Sequence, residues 1–427
     1  MRIAFVAQPI DPALPPRQNS IGLIVHHTAR RLAGRHEVTI FVNRRHNDPA
    51  NTPDDGIDYR FVSDWPDTPV LTQLGRIPNY VSQERIIRSG LYFGGYARAV
   101  AGHLRRGRFD WVHTVNFSNF LPVFRQAAPR TKLALEMQCE WLTQFPALTV
   151  RRRLRCADLV TGSSGYIADL VRRAHPQVDA FCVPLYNGFE PERFVAASEG
   201  GRADRRPATV LFVGRLSPEK GLHTLLEAMD LVCRQRPDAR LELVGPQVSL
   251  PLEYIVGISE DPRVRQLAAY YDGTVCHDYQ AWLRERAGQG ALAGRVNFVG
   301  PVPQAELPRL YATADVLANP SFSESFGMSL VEGMASGLPV VATRIGGMPE
   351  IVEPGRTGFL REAGDVEGLA TDLLACLESA ARRDELGEAG RRRALAVFTW
   401  EARARRLEAL YAATGSQDPN KERSHAS

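Results

Sequence analysis

Asn319-Pro-Ser-Phe-Ser-Glu324-Ser-Phe-Gly327-Met-Ser-Leu-Val-Glu332-Gly-Met-Ala-Ser-Gly337-Leu-Pro-Val-Val-Ala-Thr343 is the stretch that decides the fold of this 427-residue chain. The run Val316–Asn319 reads as a buried strand, and a polar loop carrying Glu324 follows it. Gly327–Ser336 reads as a helix and Pro339–Ala342 as another buried strand. Strand, loop, helix and strand in that order form the repeating unit of an open parallel α/β sheet. The first N–H groups of a helix lack intrahelical partners and sit at the positive end of its dipole, so a helix start at Gly327, Met328, Ser329 and Leu330 suits a phosphate. Glu332, about one and a half turns in, is placed to accept hydrogen bonds from a ribose diol, and Glu324 to meet the hydroxyls of a sugar. Two glutamates at this spacing are common in a chain with 48 acidic residues, and they also read as surface acids. The specific signal is the frame around them, Ser-Phe-Gly-x-x-Leu-Val-Glu-x-Met-Ala-x-Gly-x-Pro-Val-Val-Ala.

A second stretch, Phe212-Val-Gly214-Arg215-Leu-Ser-Pro-Glu-Lys220-Gly221-Leu, stands where another strand hands over to a helix. That is the carboxyl edge at which open α/β sheets bind ligands. Gly214 permits a sharp turn, and Arg215 and Lys220 offer two cations to a diphosphate. They would stabilise a departing nucleoside diphosphate electrostatically, as a metal does elsewhere. The plainer reading is ordinary decoration of a helix start. Lys220 is one of only three lysines in the chain, with Lys132 and Lys421, which favours a specific use for its compact charge.

Outward from these stretches, apolar runs alternate with helical patterns. Ile3–Ala7, Val38–Val42, Trp111–Val115, Lys132–Leu135 and Leu159–Thr161 read as strands of a first domain, with a helix over Gly22–Leu32. Thr209–Val213, Arg240–Val244 and Arg295–Val299 join the two strands above in a second domain. Its other helices span Gly221–Arg236, Gln304–Ala312 and Val366–Glu378. The boundary falls near 190–207, giving domains 1–190 and 191–399, then a helix from Trp400 to Ala412 and a disordered tail over 413–427. Asn43–Pro78, rich in Pro, Asp and Asn, reads as mostly loop, and 246–294 as an elaborated insertion.

Composition excludes several classes. No apolar run approaches the roughly 20 residues of a membrane-spanning helix. The N-terminus reads as a first buried strand, not a signal peptide. Six scattered cysteines without a C-x-x-C pair suit reduced thiols in the cytoplasm and offer no metal site. There is no phosphate-binding P-loop, no G-x-G-x-x-G after a strand, no D-x-D, no H-E-x-x-H and no G-x-S-x-G. No nucleic-acid recognition module is visible. The net charge of +4 conceals an asymmetry: residues 1–195 hold 25 Lys+Arg against 17 Asp+Glu. Such a basic half reads either as solvated helix faces or as a peripheral contact with an anionic membrane.

The two motif stretches resemble the donor site of retaining GT-B glycosyltransferases of family 4, the glycosyl transferases group 1. Glu324 and Glu332 match the family's E-x7-E motif, and Gly214 to Gly221 its phosphate loop. Tyr186-Asn-Gly-Phe189-Glu, Gly300-Pro-Val302-Pro, Glu306-Leu-Pro-x-Leu-Tyr311, Gly346-Gly-Met-Pro-Glu350, Gly358-Phe-Leu and Phe398-Thr-Trp400 continue the likeness. The resemblance covers essentially residues 1–412. It implies an α/β fold of two Rossmann-like doubly wound domains facing across a cleft, with the C-terminal helix crossing back to the first.

For function, the resemblance implies transfer of a sugar from a UDP- or GDP-linked donor to an acceptor hydroxyl, with retention and without a metal or other cofactor. It assigns donor contacts to Gly22, Gly214, Arg215, Lys220, Val302, Glu324, Phe326, Gly327, Met328, Ser329, Leu330 and Glu332. Catalytic roles fall on Glu324, Arg215, Lys220 and His113, although His113 also reads as a buried, hydrogen-bonded residue. The chain departs from the family pattern twice. The usual Gly-Gly pair of the first strand-to-helix turn is Ser20-Ile21-Gly22, and Gln138 stands where a histidine commonly meets the sugar. Gln138, which is neither acid nor base, becomes a sugar or acceptor contact. A GT-B epimerase and a non-catalytic nucleotide-sugar-binding scaffold are the rival readings; the first needs acid–base groups where Gln138 stands, and the second is opposed by the intact donor motifs.

Overall fold

The computed structural model describes residues 1–15, 18–43, 52–74, 92–194, 208–257 and 259–415. The chain divides into two compact units: 1–188 with 400–427, and 189–399. The expected linker Gly201–Pro207 and the end of the expected tail, 416–427, lie outside the described residues.

The first unit is built on a parallel sheet of β1 (Arg2–Val6), β2 (Glu37–Val42), β3 (Ile57–Phe61), β4 (Trp111–Val115), β5 (Lys132–Met137), β6 (Leu159–Gly162) and β7 (Cys182–Pro184). Their order is β3-β2-β1-β4-β5-β6-β7, so the winding reverses between β1 and β4. These two strands pair in parallel from Ile3 opposite Trp111 to Val6 opposite Thr114. The second unit repeats the scheme with β8 (Thr209–Val213), β9 (Arg240–Val244), β10 (Val296–Gly300), β11 (Val316–Asn319), β12 (Val340–Thr343) and β13 (Gly358–Arg361), in the order β10-β9-β8-β11-β12-β13. Its reversal lies between β8 and β11, where Val210 faces Val316 and Leu211 faces Leu317. Helices cover both faces of such sheets, which is why the central strands read as unbroken apolar runs. Val210, Leu211, Val316, Leu317, Val340 and Val341 are all buried.

The strands legible in the sequence are present within two residues at each end. The expected loop over 43–78 is not all loop: it contains β3 and the helix Asp67–Leu74. β3 is an edge strand, and its Asp58, Tyr59 and Arg60 face solvent at least partly, so its sequence carries no apolar run. The strands β7 and β13, of 3 and 4 residues, are too short to stand out as runs in the sequence. The helix Ala380–Val397 buries only a narrow stripe of Arg383, Leu386, Gly387, Gly390 and Ala394 among many charges.

The last helix, Trp400–Gly415, belongs to the first unit and packs on the helix Ser20–Ala33. Trp400 stacks on His27 at 5.2 Å and Tyr411 on Trp111 at 4.3 Å. It continues through Gly415, past Ala413 where a disordered tail was expected. Residues 246–294 contain the helices Pro262–Gln266 and Tyr279–Ala287 and pack into the second unit, with Val256, Val264 and Leu267 closing on Phe322. No helix among the described residues is long and apolar enough to cross a membrane. All six cysteines are free thiols.

Candidate functional site

At the carboxyl end of β8 the Gly214 N–H donates to Val244 O at 2.9 Å. There the backbone of Gly245 runs so close that a Cβ on it would lie 2.0 Å from Gly214 O. The loop beyond tightens through Lys220 N–H to Ser217 O at 3.0 Å and Gly221 N–H to Pro218 O at 3.0 Å. Gly221, at φ +71°, caps the helix Leu222–Gln235, and a Cβ there would sit 2.1 Å from Pro320 O. Only glycine fulfils both demands. The close approach brings the loop against the segment leaving β11, where Phe322 N–H donates to Glu219 O at 2.8 Å.

This junction joins two of the charged groups singled out in the sequence. Lys220 Nζ lies 2.8 Å from Glu324 Oε2, both side chains mostly buried. Arg215 donates through Nη2 to Glu219 Oε1 at 3.0 Å and through Nε to Ser217 Oγ at 3.2 Å. Gly327, at φ +112°, caps the helix Met328–Ala335. Phe326 is buried edge-on against Phe398, 5.8 Å between ring centres, which holds the turn before the helix. Met328 and Ser329 are half-buried in the first helical turn, whereas Leu330 points into the core. Asn319 Nδ2 donates to Ser329 Oγ at 3.4 Å, linking the strand end to that turn. Val302 is half-buried after β10. Gly214, Arg215, Lys220, Val302, Glu324, Phe326, Gly327, Met328, Ser329, Leu330 and Glu332 thus all lie in one unit, around the β8/β11 reversal and the strand ends beside it.

Glu332 is 6% exposed and accepts from Tyr311 Oη at 2.8 Å and Gln304 Nε2 at 3.4 Å. Burial pushes its carboxyl up to about 7, although both hydrogen bonds and the charge of Arg193 favour the ionised form. A carboxylate poised there gains from any further donor it meets. Tyr311 was visible only as part of a family run, and the sequence does not announce Gln304 as a partner of Glu332.

His113, Gln138 and Gly22 belong to the first unit. His113 is fully buried, with Nδ1 2.7 Å from Tyr411 Oη and Nε2 2.8 Å from Glu136 Oε2. Both Glu136 oxygens also accept from Arg403 Nη2 at 2.6 Å. Of the two readings of His113, this geometry is that of the buried, hydrogen-bonded one. Gln138 Nε2 donates to Glu136 and, at 3.1 Å, to Asn187 Oδ1, while Asn187 Nδ2 returns a bond of 2.8 Å. Sequence reasoning missed Glu136, Arg403 and Asn187, because nothing in their spacing foretells that a C-terminal helix meets β5. Gly22 lies in the first turn capped by Asn19, where a Cβ would meet Pro12 O at 2.2 Å. One glycine is required there by contact with the preceding loop.

The profile described as Glycosyl transferases group 1 matches residues 197–393, and that described as Glycosyl transferase 4-like domain matches 20–188. The chain is 30% identical over 354 residues to the D-inositol 3-phosphate glycosyltransferase of Streptomyces avermitilis, covering 78% of this chain and 71% of that one. It is 24% identical over 428 residues to spore coat protein SA of Bacillus subtilis, covering 96% and 99%. In fold it resembles sucrose-phosphate synthase from Thermosynechococcus elongatus, with a TM-score of 0.71 at 23% identity, covering 97% and 99%. It also resembles Anabaena HepE in complex with UDP and glucose, with a TM-score of 0.69 at 22% identity, covering 97% and 100%. The two profiles, the relatives and the doubly wound pair of sheets agree: the chain belongs to the glycosyl transferases group 1 and is a transferase of GT-B fold.

Proposed function

We propose that this enzyme transfers a sugar, with retention, from a UDP- or GDP-linked donor held by its second unit to an acceptor hydroxyl bound by its first. The observation that carries the reading is the contact of Lys220 with Glu324 at the carboxyl edge of β8 and β11, on the loop that also carries Arg215 and beside the helix that bears Glu332. Arg215, Lys220 and the N–H groups opening the helix Met328–Ala335 hold the diphosphate. Glu332 accepts from the ribose and Glu324 from the sugar. The bond from the anomeric carbon to the phosphate oxygen breaks while the acceptor oxygen bonds to the same face of that carbon. The acceptor's proton passes to the departing phosphate. The two cations stabilise the charge that develops on the leaving group, so transfer persists in excess chelator. Both glutamates are engaged in binding, which leaves neither as a covalent nucleophile.

UDP is the first nucleotide to try, because the Anabaena neighbour binds UDP and glucose. The inositol-phosphate relatives make phosphorylated polyols the first acceptors to try. The test is thermal-shift binding against nucleoside diphosphates and their sugars, comparing wild type with Glu332→Ala and Lys220→Ala, followed by the anomeric configuration of the product. Stabilisation of wild type alone by one nucleotide family supports the reading. No binding at millimolar concentration overturns it, binding without transfer favours the scaffold, and a product of inverted configuration overturns retention.

We further propose a cytoplasmic setting with peripheral contact to anionic lipid. Its support is the exposed face of the helix Ala147–Leu154 and its cap, where Leu148, Arg151, Arg152 and Arg155 follow one another at helical spacing. Equal co-sedimentation with neutral and anionic vesicles would sink it.

A further inference from the structure

Glu219 stands between Arg215 and Lys220 and has no part in holding the donor as proposed above. It is 1% exposed, among the most deeply buried acids of the chain. Its Oε1 accepts from Arg215 Nη2 at 3.0 Å and from Ser217 Oγ at 2.6 Å, while Ser217 Oγ accepts from Arg215 Nε at 3.2 Å. The guanidinium is therefore held at two nitrogens by a closed ring of three side chains. Oε2 is buried with no partner among the described residues, so every side-chain bond Glu219 makes is spent on Arg215 and on the serine that also holds it. Its backbone acts separately, since Glu219 O accepts from Phe322 N–H at 2.8 Å and so fixes the segment that carries Glu324. Phe322 itself lies against the His223 ring at 5.3 Å, and Tyr270 of the 246–294 insertion stacks on His223 at 4.8 Å.

A buried carboxylate is costly unless it is paired and hydrogen-bonded. Retaining one beside a site for a polyanion also works against binding by simple repulsion. What offsets both costs is order. An arginine has several freely rotating bonds to freeze when it grips a phosphate, and one already frozen grips at less cost.

We infer that Glu219 is a positioning residue for donor binding, acting through Arg215: its side chain presets the guanidinium while its carbonyl sets the Glu324 loop. This rests on the proposed diphosphate role of Arg215. The test is a double-mutant cycle on the full chain, read by calorimetry with UDP, or with GDP if GDP is the one that binds wild type. Glu219→Ala is expected to weaken the nucleotide about tenfold, and Glu219→Gln, which keeps an acceptor for both donors, to recover most of that loss. In an Arg215→Ala background, Glu219→Ala is expected to change affinity less than twofold.

Three results overturn the inference: an equal loss in both backgrounds, which marks a merely structural residue; no loss from Glu219→Ala; or tighter binding, which shows that repulsion outweighs positioning. If Glu219→Ala does not fold, Ser217→Ala opens the same ring from its other corner, and its cycle with Arg215→Ala is read identically. Failure of wild type to bind either nucleotide strikes the donor reading itself, and is distinguishable because it appears before any variant is compared.

Discussion

Lys220 and Glu324, 104 residues apart in sequence, meet at 2.8 Å. The contact exists because β8 and β11 are neighbours at the point where the sheet order reverses, so the loops leaving both strands must run side by side. It pairs a cation suited to a diphosphate with an acid suited to a sugar, and the two should be separable by choice of ligand.

Lys220→Ala is expected to weaken the nucleoside diphosphate and its sugar alike, and to lower kcat/KM by about 10²–10³, the usual loss when one charge-stabilising group is removed from a transfer site. Glu324→Gln is expected to leave the free diphosphate nearly unaffected while removing the extra affinity of the nucleotide sugar. Calorimetry with both ligands checks this. Equal losses for both ligands in Glu324→Gln would count against a sugar contact.

Gly221 is the hinge on which that meeting depends. A Cβ there would lie 2.1 Å from Pro320 O, in a backbone conformation at φ +71° that side chains resist. At Gly327, φ is +112° but the nearest atom is a movable leucine methyl at 3.2 Å. Gly221→Ala is therefore expected to cost more stability than Gly327→Ala, whose strain alone is worth about 1–2 kcal/mol, and to abolish nucleotide binding. Thermal unfolding and thermal-shift binding of both variants check the order.

The donor half was legible because its signals are local. β8, β11 and β12 are apolar runs buried on both faces, and the functional side chains follow them within a few residues. Glu219 lies in the same stretch as Arg215 and Lys220 yet nothing in the sequence singles it out, since its importance lies in a ring closed with Arg215 and Ser217 that spacing does not display. The first unit was harder. β3 is a partly exposed edge strand that reads as loop, and the network through His113 depends on Arg403 and Tyr411 returning from the far end of the chain. A histidine after a strand reads the same whether it is buried or reactive; its burial and two engaged ring nitrogens become visible only in three dimensions.

Arg403 and Glu136 form a deeply buried ion pair in the first unit, each side chain about 1% exposed. Burial alone would raise the Glu136 carboxyl, but Arg403, and then the hydrogen bond from His113, more than offset it and hold it down to about 2. The stability this group contributes is thus present above its ordinary value of 4.5 and lost as pH falls through about 2. Arg403→Met strands the carboxylate and is expected to destabilise the chain by about 3–5 kcal/mol at pH 8. The deficit should shrink at pH 5, where the stranded acid takes up a proton. Denaturant unfolding at the two pH values measures it, and a pH-independent deficit would mean that lost packing dominates.

Glu332 has the opposite shift, and its sign couples donor binding to pH. Burial sets its carboxyl at about 7, above the ordinary 4.5, so the protonated form is the one the fold favours. Its contribution to stability is fully present below about 4.5 and is lost as pH rises through about 7. A ribose diol donates hydrogen bonds and so favours the ionised form, which makes donor binding compete against burial for the proton. A nucleotide sugar is the proper probe, because its diphosphate is esterified at both ends and lacks the terminal ionisation near pH 6 of a free phosphate. Its affinity for wild type is expected to rise about tenfold between pH 6 and pH 8 as the carboxyl ionises. Glu332→Gln should bind weakly at both values with no slope, while gaining thermal stability relative to wild type as pH rises from 5 to 7. A slope that survives in Glu332→Gln would assign the titration to another group and remove the ribose contact from this residue.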